Sequence, residues 1–143
     1  MLLGEYRHNV DAKGRVSVPS KFRCDLGQSF VVTKGLDNCL YLYSKDEWKK
    51  FEDKLKNLPI TSQEARSFVR FFFAGASECE ADKQGRINIP QNLREYAKIQ
   101  KDVVIVGVST RAEIWSNDNW NKYTNSDSLD VSKIASQMSN LGI

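Results

Sequence analysis

The stretch Asp11-Ala12-Lys13-Gly14-Arg15-Val16-Ser17-Val18-Pro19 returns as Asp82-Lys83-Gln84-Gly85-Arg86-Ile87-Asn88-Ile89-Pro90, an offset of 82 − 11 = 71 residues in a chain of 143. Asp, Gly, Arg and Pro are identical, and the apolar positions stay β-branched. One small unit has been used twice. Two copies are too few for a solenoid, which needs three or more stacked repeats. They imply a pseudo-symmetric pair sharing one core. A chain of this length buries about 68–70% of its unfolded surface, enough for such a core without disulfide staples.

The repetition reaches past that segment. Gly4 aligns with Gly75, and Phe22-Arg23 with Leu93-Arg94, at the same offset. The register then slips by one: Val31-Val32 matches Val103-Val104, Leu42-Tyr43-Ser44 matches Ile114-Trp115-Ser116, and Trp48 matches Trp120 (120 − 48 = 72). The first unit therefore covers residues 4–51 and the second 75–123. Each predicts a short strand (Glu5 to Val10, Ala76 to Ala81) and then an Asp-x-x-Gly-Arg hairpin turn, with Gly14 and Gly85 supplying positive φ. An alternating strand follows, with Val16 and Val18, or Ile87 and Ile89, on the core face. Pro19 and Pro90 end that strand and open a short helix. Two more strands and a closing helix complete each unit. Ser44-Lys45-Asp46-Glu47 is a capping box for the first closing helix, and Ser116-Asn117-Asp118-Asn119 a weaker cap for the second.

Residues 60–74 read as a connecting helix. Thr61-Ser62-Gln63-Glu64 is a second capping box, and Ala65, Phe68, Val69 and Phe72 form an apolar stripe at helical spacing. That spacing favours burial of Phe68, Phe71, Phe72 and Phe73 over a base-stacking platform, with Phe71, off the stripe, as the candidate interface contact. Trp48, Trp115 and Trp120 are expected to pack in and around the core. Residues 124–143 form a tail whose last helix carries Val131, Ile134, Ala135, Met138 and Leu141 on one stripe.

Enzyme chemistry finds little support. His8 is the sole histidine, so a Ser-His-Asp or Cys-His pair would depend on it alone. Cys24, Cys39 and Cys79 are widely spaced with no C-x-x-C, which gives no zinc pattern and suits small buried residues in a reducing compartment. No Walker or dinucleotide-binding glycine pattern occurs. Asp11 and Asp82 each precede an arginine by four residues, which would hold them ionised and unfit as general acids. No catalytic residue, metal, cofactor or small-molecule substrate is expected. Neither a signal sequence nor an apolar run of membrane-spanning length is present, so a cytoplasmic protein is expected.

Charge distribution is more informative than the net value of +3. Residues 1–23 hold Arg7, Lys13, Arg15, Lys21 and Arg23 against Glu5 and Asp11; residues 82–101 hold Lys83, Arg86, Arg94, Lys98 and Lys101 against Asp82 and Glu95. Both repeat cores are thus locally basic. Strand alternation turns Arg15 and Arg86 away from the apolar face. A planar guanidinium can donate two parallel hydrogen bonds to guanine or phosphate, and a two-stranded β-ribbon fits the major groove. Asp11 and Asp82, with Gly14 and Gly85, would then support the turns, since a carboxylate facing phosphate repels it.

Gly4-Glu5-Tyr6-Arg7-His8, the two Asp-x-x-Gly-Arg turns, Phe68-Val69-Arg70-Phe71-Phe72-Phe73 and Glu113-Ile114-Trp115-Ser116 together resemble the MraZ family of bacterial transcription regulators, over the chain to about residue 123. The resemblance implies an α+β fold of two tandem SpoVT-AbrB-type swapped-hairpin units, here expected to close into one pseudo-symmetric β-barrel with peripheral helices. It implies a homo-oligomeric ring, such as an octamer, that binds double-stranded DNA at short promoter direct repeats. It also implies repression of the protein's own operon, a division and cell-wall gene cluster, and association with the nucleoid. DNA contacts are assigned to Arg15 and Arg86. Lys13, Lys83 and Arg7 are further candidates, although the two lysines occupy non-equivalent turn positions and Glu78 stands where Arg7 would repeat. An antitoxin-like scaffold with a protein partner is the rival reading, and a short helical tail disfavours it.

Overall fold

The computed structural model describes residues 1–142. The first repeat supplies β1 (Leu2–Asn9), β2 (Arg15–Ser17), α1 (Ser20–Leu26), β3 (Ser29–Lys34), β4 (Leu40–Ser44) and α2 (Lys45–Lys56). The connecting helix α3 spans Gln63–Gly75. The second repeat supplies β5 (Ser77–Glu80), β6 (Arg86–Asn88), α4 (Gln91–Tyr96), β7 (Asp102–Ser109), β8 (Arg111–Ser116) and α5 (Asn117–Thr124). The tail forms α6 (Val131–Met138) and a 3₁₀ turn, Ser139–Leu141.

The strands make one antiparallel six-stranded sheet in the order β1-β7-β8-β4-β3-β5, and a separate two-stranded ribbon of β2 and β6. The strands flanking each Asp-Gly-Arg turn do not pair with each other but cross to the opposite repeat, as swapped-hairpin units imply. β1 pairs with β7, β5 with β3 and β2 with β6, so these flanking strands diverge to different sheets. The expected barrel does not close. Strands β1 and β5 lie at opposite edges of the sheet, and the ribbon covers one face instead of bridging the edges through hydrogen bonds.

Register locates the pseudo-two-fold axis. In the ribbon Val16 faces Ile87, its own repeat equivalent (16 + 71 = 87). In the sheet Tyr41 faces Glu113, again its equivalent (41 + 72 = 113). The axis passes through both pairs, from the centre of the ribbon to the centre of the sheet.

Both sheet faces are covered, which explains strands buried on successive residues. On one face Phe30, Val32, Leu40, Leu42, Val103, Ile105, Ala112 and Ile114 meet the ribbon's Val16 and Ile87 and helices α1 and α4 through Phe22 and Leu93. On the other, Cys39, Tyr41, Tyr43 and Trp115 meet α2 and α3 through Leu55 and Phe72. The buried Thr33 hydroxyl donates to the Phe72 carbonyl at 2.8 Å and ties α3 to β3.

The caps follow the sequence with one shift. Ser44 Oγ accepts from the Glu47 amide and Ser116 Oγ from the Asn119 amide. At α3 the cap is Ser62, accepting from Ala65, and not Thr61. Phe71 is half-buried, packed edge-on against Phe72 and Tyr96. Phe68, on the apolar stripe, is the more exposed ring at 41%. Cys39 is buried and Cys79 half-buried, but Cys24 is exposed, contrary to expectation. Burial pushes both the Cys39 and Cys79 thiols up to about 12, so they stay protonated and unreactive at neutral pH. No residue of α6 is buried, so its stripe does not dock deeply on the core.

The axis pair carries the ribbon's only inward contact. Ile87 is 1% exposed, so Ile87→Ala is expected to cost about 2–5 kcal/mol. Ser17→Ala, on the outer face of the same ribbon, should stay within about 0.5 kcal/mol. Urea unfolding of the two variants checks the contrast.

Candidate nucleic-acid interface

The two turns are built alike, from backbone outward. In the first, the Gly14 amide donates to the Asp11 carbonyl at 3.0 Å and the Asp11 amide to the Arg15 carbonyl at 2.9 Å. In the second, Gly85 donates to Asp82 and Asp82 to Arg86, both at 2.9 Å. The glycines take φ of 82° and 76°, a region where a Cβ is strained.

The aspartates then fix everything else in the turn. Asp11 Oδ1 accepts from the Lys13 and Arg15 amides at 2.9 Å each, and Oδ2 accepts from Arg15 Nε at 2.8 Å. Asp82 Oδ1 accepts from Gln84 and Arg86, and Oδ2 from Arg86 Nε, all at 2.9 Å. The carboxylates are therefore turn supports, as the sequence predicts. Backbone hydrogen bonds from Arg15 and Arg86, then the bonds from the same guanidinium groups, hold Asp11 and Asp82 below their ordinary pKa.

Each arginine is held by one edge only. Among the described residues no acceptor engages Nη1 or Nη2 of Arg15 or Arg86, so both forks remain available. Their side chains are 32% and 29% exposed, neither sealed in the core nor loose in solvent. Opposed residues of an antiparallel pair share a face. Arg15 faces Asn88 and Arg86 faces Ser17 across the ribbon, so all four lie on the side opposite Val16 and Ile87. Two residues of strand rise and one interstrand step put the two arginine Cα atoms about 8 Å apart, diagonally across the axis.

The remaining candidates divide. Lys13 and Lys83 are exposed on the turns. Arg7 is not gathered there: its Nη1 donates to Asn117 Oδ1 at 2.7 Å, at the start of α5, and its Nη2 lies 3.7 Å from Glu5. His8 faces Val103 in the sheet, where burial first, and then the Arg23 charge, lowers its pKa and keeps the imidazole neutral. Three residues escaped the sequence reading as parts of this interface. Arg23 and Arg94 lie against Gly85 and Gly14, and Asn88 donates to the Lys13 carbonyl. The alignment of Phe22-Arg23 with Leu93-Arg94 was the available signal.

The fold is a swapped pair of repeats that presents two braced arginines on one face of a shared ribbon. A family model described as "MraZ protein, putative antitoxin-like" matches the chain twice, over residues 1–71 and 72–141. The chain is 64% identical to a protein named Transcriptional regulator MraZ from Caldicellulosiruptor saccharolyticus, over all 143 residues and the full length of both chains. It is 61% and 59% identical, again end to end, to proteins of the same name from Alkaliphilus oremlandii and Alkaliphilus metalliredigens. The chain belongs to the MraZ family, and the function that membership assigns it is regulation of transcription. That is not an enzyme class.

The depressed carboxylates predict a pH response. Their stabilisation of the turns is complete above the ordinary carboxylate value of 3.8 and is lost as pH falls through the lower folded value. An NMR titration of the Gly14 and Gly85 amide signals should therefore show midpoints below 3.8. Asp11→Ala should loosen the first turn already at neutral pH, read as a broadened or shifted Gly14 signal with Gly85 unchanged.

Proposed function

We propose that this protein is a sequence-specific DNA-binding repressor that reads double-stranded promoter DNA with Arg15 and Arg86. The carrying observation is the pair of braced guanidinium groups on one outward face, each with its Nη edge open. Held through Nε, each side chain has less rotamer freedom to lose on contact, and its free edge matches the two acceptors of guanine in the major groove. A separation of about 8 Å spans roughly two base-pair steps at 3.4 Å of rise, so the two forks address different base pairs. Lys13 and Lys83 flank them and suit phosphate. Arg7, engaged with α5, is assigned at most an outlying phosphate contact.

A three-residue ribbon touches few base pairs, so a single chain offers limited affinity. Assembly into a ring would supply avidity on direct repeats, by raising the effective concentration at the next site. Exposed apolar residues on and beside α3, Leu36 at 57% and Phe68 at 41%, and Val131 on α6 at 69% support such contacts between copies. The repeats would lie upstream of the protein's own operon, the division and cell-wall cluster, and binding there would repress it and place the protein at the nucleoid. Among the described residues no helix is long and apolar enough to cross a membrane.

Gel-shift titration of the chain's own upstream region tests this. Arg15→Ala and Arg86→Ala should each weaken binding by about 1–3 kcal/mol, the worth of one bidentate base contact. Lys13→Ala should instead weaken all sequences alike and lower the salt slope by about 1. Unaltered affinity in both arginine variants at fixed salt would reject the assignment.

A further inference from the structure

We infer that each arginine-bearing turn is positioned by the opposite repeat, with Arg94 clasping the first turn and Arg23 the second. The contacts form two matching circuits. The Gly14 carbonyl accepts from the Ile89 amide at 2.9 Å, and the Ile89 carbonyl accepts from Arg94 Nε at 3.0 Å. The Arg94 guanidinium then returns to lie against Gly14. In the twin, the Gly85 carbonyl accepts from Val18 at 2.9 Å, the Val18 carbonyl accepts from Arg23 Nε at 3.1 Å, and the Arg23 guanidinium lies against Gly85. Beyond the aspartate bonds inside each turn, the groups in these circuits that grip a turn come from the other half of the chain.

A side chain on either glycine would have to displace the guanidinium pressed against it. A Cβ added to Gly14 would stand 2.8 Å from Arg94 Cζ, and one on Gly85 would overlap the Arg23 guanidinium outright. Both glycines are buried although the aspartates and lysines around them are exposed. Glycine suits these positions for its positive φ, and its bare Cα lets the arginine lie against the turn. The next carbonyl back is held too, by different donors: Asn88 Nδ2 reaches Lys13 O at 3.4 Å, and Arg23 Nη2 reaches Gln84 O at 3.3 Å. Loss of one clasp should therefore misplace one reader, and it will be the reader of the other repeat.

Arg94 and Arg23 are positioning residues in this scheme, and only its consequence for DNA rests on the assignment of Arg15 and Arg86 as readers. The test is hydrogen exchange by mass spectrometry on the full-length protein without DNA, followed by gel-shift cycles. Arg94→Met keeps the aliphatic stem and removes the fork. Exchange over residues 11–15 should rise by about tenfold, the loss of one hydrogen-bond equivalent, while residues 82–86 stay as they were. Arg23→Met should do the reverse. On DNA, Arg94→Met should be non-additive with Arg15→Ala and additive with Arg86→Ala. Gly14→Asn is a second probe, because asparagine tolerates positive φ yet would displace the Arg94 guanidinium; it should reproduce the Arg94→Met pattern even if that variant does not fold.

Exchange that rises in both turns, or in neither, overturns the inference. So does additivity of Arg94→Met with both reader variants together with a salt slope lowered by about 1, which would make Arg94 a direct phosphate contact. If the crossed exchange pattern holds but Arg15→Ala and Arg86→Ala bind DNA normally, the clasp stands and the reader assignment falls.

Discussion

The pairing of Arg15–Ser17 with Arg86–Asn88 is the constraint on which the molecule depends. Three residues cannot sustain a strand alone, and neither repeat offers its own short strand a local partner. Each must find the other's. The same exchange sends β1 to β7 and β5 to β3, while β3–β4 and β7–β8 pair within their own repeats. Burial of Val16 against Ile87 on the axis then presses the ribbon onto the sheet. With the inner face committed, alternation leaves Arg15, Ser17, Arg86 and Asn88 no side but the outer one.

Electrostatics at the turns works by division of labour. The carboxylates face backbone amides and one edge of each guanidinium, and so spend their acceptor capacity inside the turn. Their charge is offset locally where a bare carboxylate would repel an approaching phosphate. The arginines gain orientation from the same contact without being neutralised at the open edge, because a guanidinium carries five donors and the aspartate takes one.

The symmetry is broken where the two repeats no longer do the same work. On the sheet side of the axis, Glu113 is almost fully buried and receives two bonds from Arg111, at 3.0 and 2.8 Å, and one from Trp115 Nε1 at 3.0 Å. The Arg111 guanidinium in turn lies over the Tyr41 ring at 4.3 Å. The equivalents of Arg111, Glu113 and Trp115 in the first repeat are Cys39, Tyr41 and Tyr43. A charged, hydrogen-bonded set from one half thus packs against a softer aromatic set from the other, and burial pushes Tyr43 up to about 12, keeping it neutral. The ribbon end of the axis kept its Asp, Gly and Arg, although the lysine is displaced and Asn88 stands where the first repeat has Ser17.

Much was legible in the residues. Apolar alternation, the prolines, the serine caps and the doubled Asp-Gly-Arg turn are local signals, and local hydrogen bonding and φ preferences act on them directly. They located the elements within a few residues and identified the aspartates as turn supports. Partner choice was different. Whether β1 pairs with β2 or with β7 depends on which arrangement buries both faces of the sheet, a property of all the strands together. That competition selected the crossed pairs and left the sheet open where a closed barrel was expected. It also brought Arg94 to Gly14 and Arg23 to Gly85, contacts between residues far apart in the chain that no spacing could announce, because only the completed two-fold packing puts them within reach of one another.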